Sequence, residues 1–360
     1  MRGDSIAKLY ETCGKRLFAR NIRGFLGGNT EVNRSMEYTL KHEPEKFFYY
    51  NNGITILCDD AEKVSTKGQD IIRVSNPQII NGQQTTRTLA ANKGLAKKAS
   101  VVVRVIQVPR GGSNGNEQFD TLVSEIVAGT NWQNAIRPSD LISNDRRQVE
   151  LQRELRKRGY LYARKREKKT ETQKSVGGKH FIFIKKEDLA RAVAGCNMDP
   201  VVARSGVENL FTDEMYHSIF PTSDPVYYLT RYWLMRKVTS IARGYPERGY
   251  AKWLVLGFVW SRLFPLLKSK SAKEIFIQKM ERGEQDLDFQ LRQAIDKVFI
   301  AARKYWKQNR GIGTKAIDPS TFFRNKRGRD KEFNVFWHSR ANRSRKGFDN
   351  YWKKVASAIS

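Results

Sequence analysis

Residues 78–87, Gln-Ile-Ile-Asn-Gly-Gln-Gln-Thr-Thr-Arg, contain the pattern that most strongly indicates the fold. The β-branched pair before Asn81 is typical of a short strand, and Asn-Gly is a turn signal. The following segment, as far as Lys98, carries Ala and Leu at helical spacing and predicts a helix. The β-branched run of residues 101–108 then predicts another strand. Together these segments predict a βαβ unit.

The flanking sequence extends this prediction in both directions. Residues 53–58 and 71–74 are strand-like, whereas the periodicity from about residue 136 onward is helical. Ser143 or Asn144 is expected to cap a helix that runs to Arg158 and ends at Gly159. We therefore expect an α+β or α/β fold with two parts. Residues 1–135 form an α/β domain, and residues 136–360 form a mainly α-helical, basic region.

Composition excludes several classes of protein. The 360 residues are 39% hydrophobic, which is too rich for a disordered chain. The longest apolar run, residues 253–267, is shorter than the about 20 residues that a membrane span needs, so it predicts a buried helix. Cys13, Cys58 and Cys196 lie too far apart for a disulfide framework or a zinc site. No secretion signal is readable, and we expect a cytoplasmic protein without a membrane partner.

The formal net charge is +29, and most of it lies in two blocks. Residues 146–186 carry a net charge of +11, and residues 301–360 carry +12. Concentrated Lys and Arg are typical of proteins that contact a phosphate backbone, and aromatic residues interleave with both blocks. A solvated helix face is the alternative. The sequence predicts DNA or RNA as the partner, contacted by Arg146, Arg147, Arg153, Arg156, Lys157, Arg158, Arg164, Lys165, Arg324, Lys326, Arg327, Arg343 and Arg345.

The turn after Asn81 also has the chemistry of an anion site. Gly82 lets the backbone approach a ligand, and the unpaired N–H groups that open the next helix attract negative charge. Two further polar groups precede this turn, at residues 20–23 and 51–53. For all three groups the alternative explanation is a tight turn, a helix cap or a surface ion pair. The predicted nucleotide- or phosphate-binding residues are Arg20, Asn21, Arg23, Asn51, Asn52, Asn81, Gly82, Gln83, Gln84, Thr85 and Arg87.

Four segments in order resemble the AIPR (abortive infection phage resistance) family. They are residues 16–27 (RLFARNIRGFLG), 32–33 (VN), 47–58 (FFYYNNGITILC) and 76–85 (NPQIINGQQT). Residues 140–145 and 159–165 resemble the family more loosely, and the similarity covers about residues 8–250. The resemblance implies a role in bacterial antiviral defence, with other proteins of a defence operon as partners. It does not imply an established catalytic mechanism.

Residues 80–89 are also similar to the D-G-Q-H-R and D-G-Q-Q-R motifs of ParB/sulfiredoxin-like domains. Those motifs sit at a strand-to-helix turn, and the similarity implies contact with a nucleotide or a phosphate, with an NTP as the cofactor. In this chain Asn81 replaces the acid, and Arg87 comes two residues later than the motif arginine. Both departures weaken the case for hydrolysis more than the case for binding.

Catalytic residues are not readable from the sequence. Asp59-Asp60 and the E-x-K triplet at Glu167 lack a convincing partner acid for Mg²⁺, and no Walker-type loop occurs. The prediction is a phage-defence protein of the abortive-infection type that binds nucleic acid through a basic helical region and carries an N-terminal nucleotide or phosphate pocket. A metal-dependent nuclease that cleaves DNA or RNA, and a non-catalytic scaffold for an acidic protein, are the alternatives. Homo-oligomerisation is left open.

Overall fold

The computed structural model describes ten segments of the chain, which are residues 1–21, 31–66, 68–108, 122–123, 125–127, 138–165, 181–243, 245–313, 316–324 and 328–359. They combine many helices with small sheets, which confirms the α+β class. The chain divides into two compact units. The first unit is Met1–Val149 with Ala163–Phe183, and the second is Glu150–Tyr162 with Ile184–Ser360. The predicted boundary after residue 135 stays a prediction, because residues 128–137 lie outside the described segments.

The elements that precede the helical region are short and alternate between helix and strand. In chain order they are α1 (Gly3–Cys13), α2 (Glu31–His42), α3 (Phe47–Tyr50), β1 (Ile54–Cys58), β2 (Asp60–Thr66), β3 (Gln69–Ser75), β4 (Gln78–Asn81), α4 (Gln83–Ala91), α5 (Lys93–Ala96), β5 (Val103–Gln107), α6 (Pro138–Leu141), α7 (Arg146–Lys157), β6 (Tyr160–Ala163) and β7 (Ile182–Lys185).

The central sheet has the order β4-β1-β5. Strand β1 pairs with β4 in the antiparallel sense and with β5 in the parallel sense. The expected βαβ unit is therefore wrong: β1 separates β4 from β5, and the two outer strands run in opposite directions. Strands β2 and β3 form an antiparallel hairpin, and β6 pairs with β7.

Apolar side chains cover both faces of β1. Ile54 and Ile56 belong to the main core of the first unit, together with Leu89 of α4. Leu57 belongs to a second, smaller cluster that includes Ile80 of β4. A strand that is buried on both faces reads as a continuous apolar run, and all five residues of β1 are buried.

Helix α7 begins one or two residues later than the sequence predicts. Its cap is Asp145, whose Oδ1 accepts a hydrogen bond from the backbone N–H of Arg147 at 2.8 Å. The expectation of a cap at Ser143 or Asn144 is wrong, because both side chains donate hydrogen bonds to main-chain oxygens elsewhere in the first unit. The helix ends just before Gly159, which has a left-handed backbone (φ 82°) as a helix-ending glycine requires.

The second unit is mainly helical, as expected. Its helices are α8 (Lys186–Asn197), α9 (Pro200–Arg204), α10 (Asp213–Ile219), α11 (Pro225–Ala242), α12 (Pro246–Leu263), α13 (Lys270–Arg282), α14 (Gln285–Asn309), α15 (Pro319–Arg324), α16 (Arg329–His338) and α17 (Ser344–Ile359). Asp224 caps α11 directly before Pro225, and its Oδ1 accepts from the N–H of Val226 at 2.9 Å. The long apolar run lies largely in α12 and is mostly buried there. Among the described helices none is long and apolar enough to cross a membrane.

Candidate functional site

The turn between β4 and α4 packs tightly against the start of β1. Gly82 has a left-handed backbone with φ 93°. A Cβ at this position would lie 2.8 Å from the carbonyl oxygen of Gly53 and 2.9 Å from Cα of Ile54. The space beside Gly82 is therefore filled by the backbone of β1. Glycine is required here by the packing of the first unit, whatever the turn binds.

Two of the three predicted polar groups meet at this point. Gly53, which also has a positive φ of 78°, approaches Val102 so closely that a Cβ would lie 2.7 Å from the Val102 oxygen. Asn81 pairs with Thr55 across the β1–β4 ladder. The structure thus brings the Asn51–Gly53 turn beside the Asn81–Gly82 turn.

The segment of Arg20 and Asn21 lies beside the same strand. The buried amide of Asn21 donates to the Ile79 oxygen at 3.2 Å, and the N–H of Arg20 donates to Oε1 of Gln78 at 3.3 Å. Both contacts attach this segment to β4 just ahead of Asn81. Arg23 lies outside the described residues.

Several of the polar side chains of the turn have structural partners. Asn51 donates to the Phe47 oxygen at 2.8 Å, and Thr86 Oγ1 donates to the Gly82 oxygen at 2.9 Å. Thr85 is buried with its hydroxyl facing the sulfur of Met36. Asn52 is exposed, and Gln83 is half-buried.

Gln84 and Arg87 complete this group. The guanidinium of Arg87 lies 5.2 Å from the centre of the Phe18 ring, which gives it a cation–π contact. Gln84 is different, because its Oε1 is buried and has no hydrogen-bond partner among the described residues. A buried polar atom of this kind costs free energy unless something outside the described chain satisfies it. Among the side chains of this turn, Gln84 is therefore the one whose burial the described hydrogen bonds do not account for.

Lys165 and Arg164 were expected to contact nucleic acid, and the structure gives both of them internal partners. The ammonium of Lys165 donates to the main-chain oxygens of Phe18 and Ala19, at 3.2 and 2.9 Å, and the residue is buried. Arg164 donates to Oδ1 of Asn144 at 2.9 Å. Lys165 thus holds the chain ahead of Arg20 in place, and we leave it out of the proposed nucleic-acid surface.

Helix α7 carries the first group of predicted nucleic-acid contacts. Arg153 and Lys157 are exposed and both contact Glu154, at 3.2 and 2.8 Å. Arg156 is also exposed and forms no ion pair with any acid in the described segments. At the start of the helix, Arg146 is exposed and the half-buried Arg147 lies 3.5 Å from Asp145.

Arg158 follows the end of α7 and has a fixed partner. Its guanidinium donates two hydrogen bonds to Glu274, at 2.8 and 2.7 Å. The hydrogen bonds from Arg158 lower the pKa of the Glu274 carboxyl, which keeps the pair ionised. A bidentate pair of this kind orients Arg158 within the second unit, so this residue is less available to phosphate than Arg153 or Arg156.

Several aromatic residues of the C-terminal block face the core of the second unit. Tyr305 and Trp337 are 3% and 2% exposed, and Phe322 packs against Tyr305 with ring centres 5.4 Å apart. In the first block, Tyr160 and Tyr162 are buried as well. For these buried residues the interleaving with basic residues is explained by packing in the core, whereas Trp306, Tyr351 and Trp352 are half-buried.

Basic side chains cover the outside of the same helices. Helices α14 and α17 run antiparallel, because Lys304 of α14 donates to the Ala341 oxygen and Gly347 of α17 packs against Lys297. We define the C-terminal basic face as four exposed cations on α17 and in the segment before it, namely Arg340, Arg343, Lys346 and Lys353.

Sequence reasoning named only Arg343 of this face. Lys346 and Lys353 are seven residues apart, opposite the buried Phe348 and Val355, and that spacing is the signal that was missed. Arg345 forms an ion pair with Asp349 at 3.8 Å, and Arg324 is exposed at the end of α15. Lys326 and Arg327 lie outside the described residues.

No metal centre can be assigned in the part of the chain that the structure describes, where no three His, Cys, Asp or Glu side chains come together. Asp59 accepts a hydrogen bond from Asn76 at 3.2 Å, and Asp60 accepts one from Gln107 at 2.9 Å. The E-x-K triplet at Glu167 lies outside the described residues. Magnesium therefore stays a prediction of the nuclease alternative.

Comparison with known proteins places the chain among related sequences. A family model described as AIPR protein matches residues 18–310, which is well over half of the chain. This is the family whose motifs are quoted above. Neither the curated proteins nor the solved structures give a significant match.

Proposed function

Because the chain belongs to the AIPR family, we propose that it acts in phage defence of the abortive-infection type and that it does so by binding nucleic acid. The family assignment supports the defence role. The binding is proposed from the charge of the second unit. One observation carries it: residues 301–360 contain 16 basic and 4 acidic residues, and the four cations of the C-terminal basic face are exposed.

This surface suits a phosphate backbone better than bases. Residues 301–360 have four acids for 16 cations, and the four cations of the C-terminal basic face form no ion pair with any acid in the described segments, so this face attracts an external polyanion. On α17 itself Phe348 is buried, whereas Tyr351 and Trp352 are half-buried, and the exposed cations are therefore the proposed main source of affinity. Binding of this type depends strongly on salt and only weakly on sequence.

A plaque assay tests whether binding serves defence. Bacteria that express the chain are challenged with phage, and the wild type is compared with a face variant in which Arg340, Arg343, Lys346 and Lys353 are changed to Gln. We expect the face variant to lose protection while its expression level stays the same. A control variant makes the same change in net charge at four exposed lysines of the first unit, Lys8, Lys41, Lys97 and Lys98. Equal protection by both variants would remove the basic face from the proposal.

The unpartnered Oε1 of Gln84 favours a second candidate, a nucleotide-binding pocket at the β4–α4 turn. An amide can exchange hydrogen bonds with a base or a ribose, and the helix N–H groups beside it attract phosphate. Gln84→Ala is expected to stay folded and to lose any thermal stabilisation by NTPs that the wild type shows. Saturating ligand at 100 times its dissociation constant stabilises by about 2.7 kcal/mol. An unchanged shift in Gln84→Ala, relative to the exposed control Lys98→Ala, would show that Gln84 is not part of such a pocket.

A further inference from the structure

Four cations on four helices of the second unit lie close together. Arg191 belongs to α8, Arg204 ends α9, Lys252 belongs to α12 and Arg324 ends α15. We refer to them as the four-cation cluster. They are far apart in the sequence, and the fold alone makes them neighbours.

Hydrogen bonds between helices fix the arginines of the cluster. The guanidinium of Arg191 donates to the main-chain oxygen of Ala203 at 2.7 Å, directly beside Arg204. The guanidinium of Arg204 in turn donates to the oxygen of Tyr250 at 3.1 Å and lies over the Tyr250 ring. These two contacts lead from α8 through α9 to the part of α12 that carries Lys252.

Close packing of α8 on α12 brings Lys252 to the same place. A Cβ at Gly195 would lie 2.6 Å from Leu256 and 2.9 Å from the Trp253 ring, so the two helices approach as closely as a glycine permits. The Lys252 ammonium lies 4.6 Å from the centre of the Trp253 ring. Arg191 lies one helical turn before Gly195 and therefore on the same side of α8.

The cluster concentrates positive charge in a half-buried place. Burial lowers the pKa of Lys252, and the neighbouring Arg191 and Arg204 lower it further. Burial and the charge of Arg324 likewise lower the pKa of Arg204. Within the described segments no acid forms an ion pair with any of the four. Like charges that are partly removed from water repel each other, and a bound anion would relieve that repulsion.

We propose that the four-cation cluster binds a phosphate group. Arg191 and Arg204 each keep further N–H groups beyond those used on main-chain oxygens, and the Lys252 ammonium adds three more donors. Arg324, which is exposed at the end of α15, adds a fourth positive charge near Arg204. The terminal phosphates of a nucleotide and the phosphodiesters of a nucleic acid present the same oxygens. The inference goes beyond the proposed function, because the cluster shares no residue with the C-terminal basic face and contains only Arg324 of the predicted nucleic-acid contacts.

The test uses the full chain at low ionic strength with three probes: inorganic tripolyphosphate, ATP and a short labelled single strand. The variant Lys252→Gln/Arg324→Gln removes two charges without breaking any of the hydrogen bonds described above. The control Lys268→Gln/Lys307→Gln removes two exposed charges of the same unit. We expect the affinity for tripolyphosphate to fall at least about tenfold in the cluster variant and to change less than about twofold in the control, since only the cluster variant removes charge-assisted contacts to the probe.

The probes separate the two sources of phosphate. Loss of tripolyphosphate and ATP binding with unchanged binding of the strand identifies a nucleotide site, and parallel loss of all three identifies the backbone of a nucleic acid. Equal losses in the cluster and control variants, or no binding of any probe by the wild type, would overturn the proposal. The single variant Arg324→Gln, at an exposed position, tests the same cluster if Lys252→Gln disturbs folding. A result that excludes the C-terminal basic face from nucleic-acid binding does not affect this proposal, because the two are tested with substitutions at different residues.

Discussion

Gly82→Ala is the change whose effect the structure defines most sharply. An alanine at this position must adopt a left-handed backbone, and its Cβ must enter the space occupied by Gly53 and Ile54 of the neighbouring strand. The atoms that this Cβ would meet belong to the backbone of Gly53 and Ile54 or to the first bonds of the Ile54 side chain. They cannot move away as the end of a flexible side chain would. The variant should therefore loosen the β1–β4 pairing and the start of α4.

The expected magnitude has two parts. A left-handed residue with a Cβ costs about 1–2 kcal/mol. Overpacking a filled space costs about another 1–3 kcal/mol. Gly68 provides the matched control, because it belongs to the same unit and has a positive φ of 74°, yet a Cβ there would meet nothing within 4 Å. Gly68→Ala should show only the first part.

Hydrogen exchange resolves this difference within the first unit. Peptides that cover Ile54–Cys58 and Gln83–Ala91 report the free energy of local opening at β1 and α4. The excess of about 1–3 kcal/mol corresponds to exchange that is about 5–150 times faster in Gly82→Ala than in Gly68→Ala. Equal exchange rates in the two variants would refute the packing argument. Close approach of a ligand would then be the explanation for a glycine at position 82.

Three further changes test other parts of the structure. Arg158→Ala, which breaks a partly exposed ion pair with Glu274, should lower the free energy of unfolding in urea by about 1 kcal/mol. The control Arg156→Ala should change it by less than about 0.5 kcal/mol. Equal effects of the two substitutions would contradict the pairing of Arg158 with Glu274. Burial and the hydrogen bond to Glu332 raise the pKa of Tyr305 to about 12. The stability that this hydroxyl contributes is thus present below pH 10 and is lost as the pH rises toward about 12. In Tyr305→Phe the free energy of unfolding in urea should therefore fall less steeply between pH 10 and pH 12 than in the wild type. The same pH dependence in both proteins would contradict the assigned role of the hydroxyl. Lys165→Met should leave nucleic-acid affinity unchanged and speed hydrogen exchange near Phe18, because two main-chain oxygens lose their donor; a drop in affinity with normal exchange would place Lys165 on the binding surface after all.

Local patterns in the sequence predict local structure well in this protein. The strand before Asn81, the turn at Gly82 and the helix after it all follow from residue type, because turn glycines and β-branched runs act over a few residues. The order of the strands does not follow in the same way. Strand β1 inserts between β4 and β5 through pairings distant in sequence, and an apolar run alone does not specify its neighbours.

The candidate sites show the same limit. Arg191, Arg204 and Lys252 each look like an ordinary surface cation in the sequence. The packing of Gly195 on α12 and the hydrogen bonds of the two arginines bring them together. Similarly, the interleaved aromatic and basic residues of the C-terminal block have two explanations, base stacking and core packing. The burial of Tyr305 shows that core packing is the explanation in α14. Composition alone does not show which side of a helix faces the core.

The salt dependence of nucleic-acid binding tests the central claim most directly. Fluorescence anisotropy with labelled duplex DNA and single-stranded RNA is measured over a range of salt concentrations, for the wild type, the face variant and the first-unit control. Each phosphate contact contributes about 0.9 to the slope of log K against log salt on duplex DNA and about 0.7 on a single strand. If all four cations of the C-terminal basic face contact phosphate, the face variant should lose about 3.6 from the duplex slope, while the control keeps the wild-type slope. A face variant with the wild-type affinity and slope would contradict the claim that this chain binds nucleic acid through its C-terminal basic face.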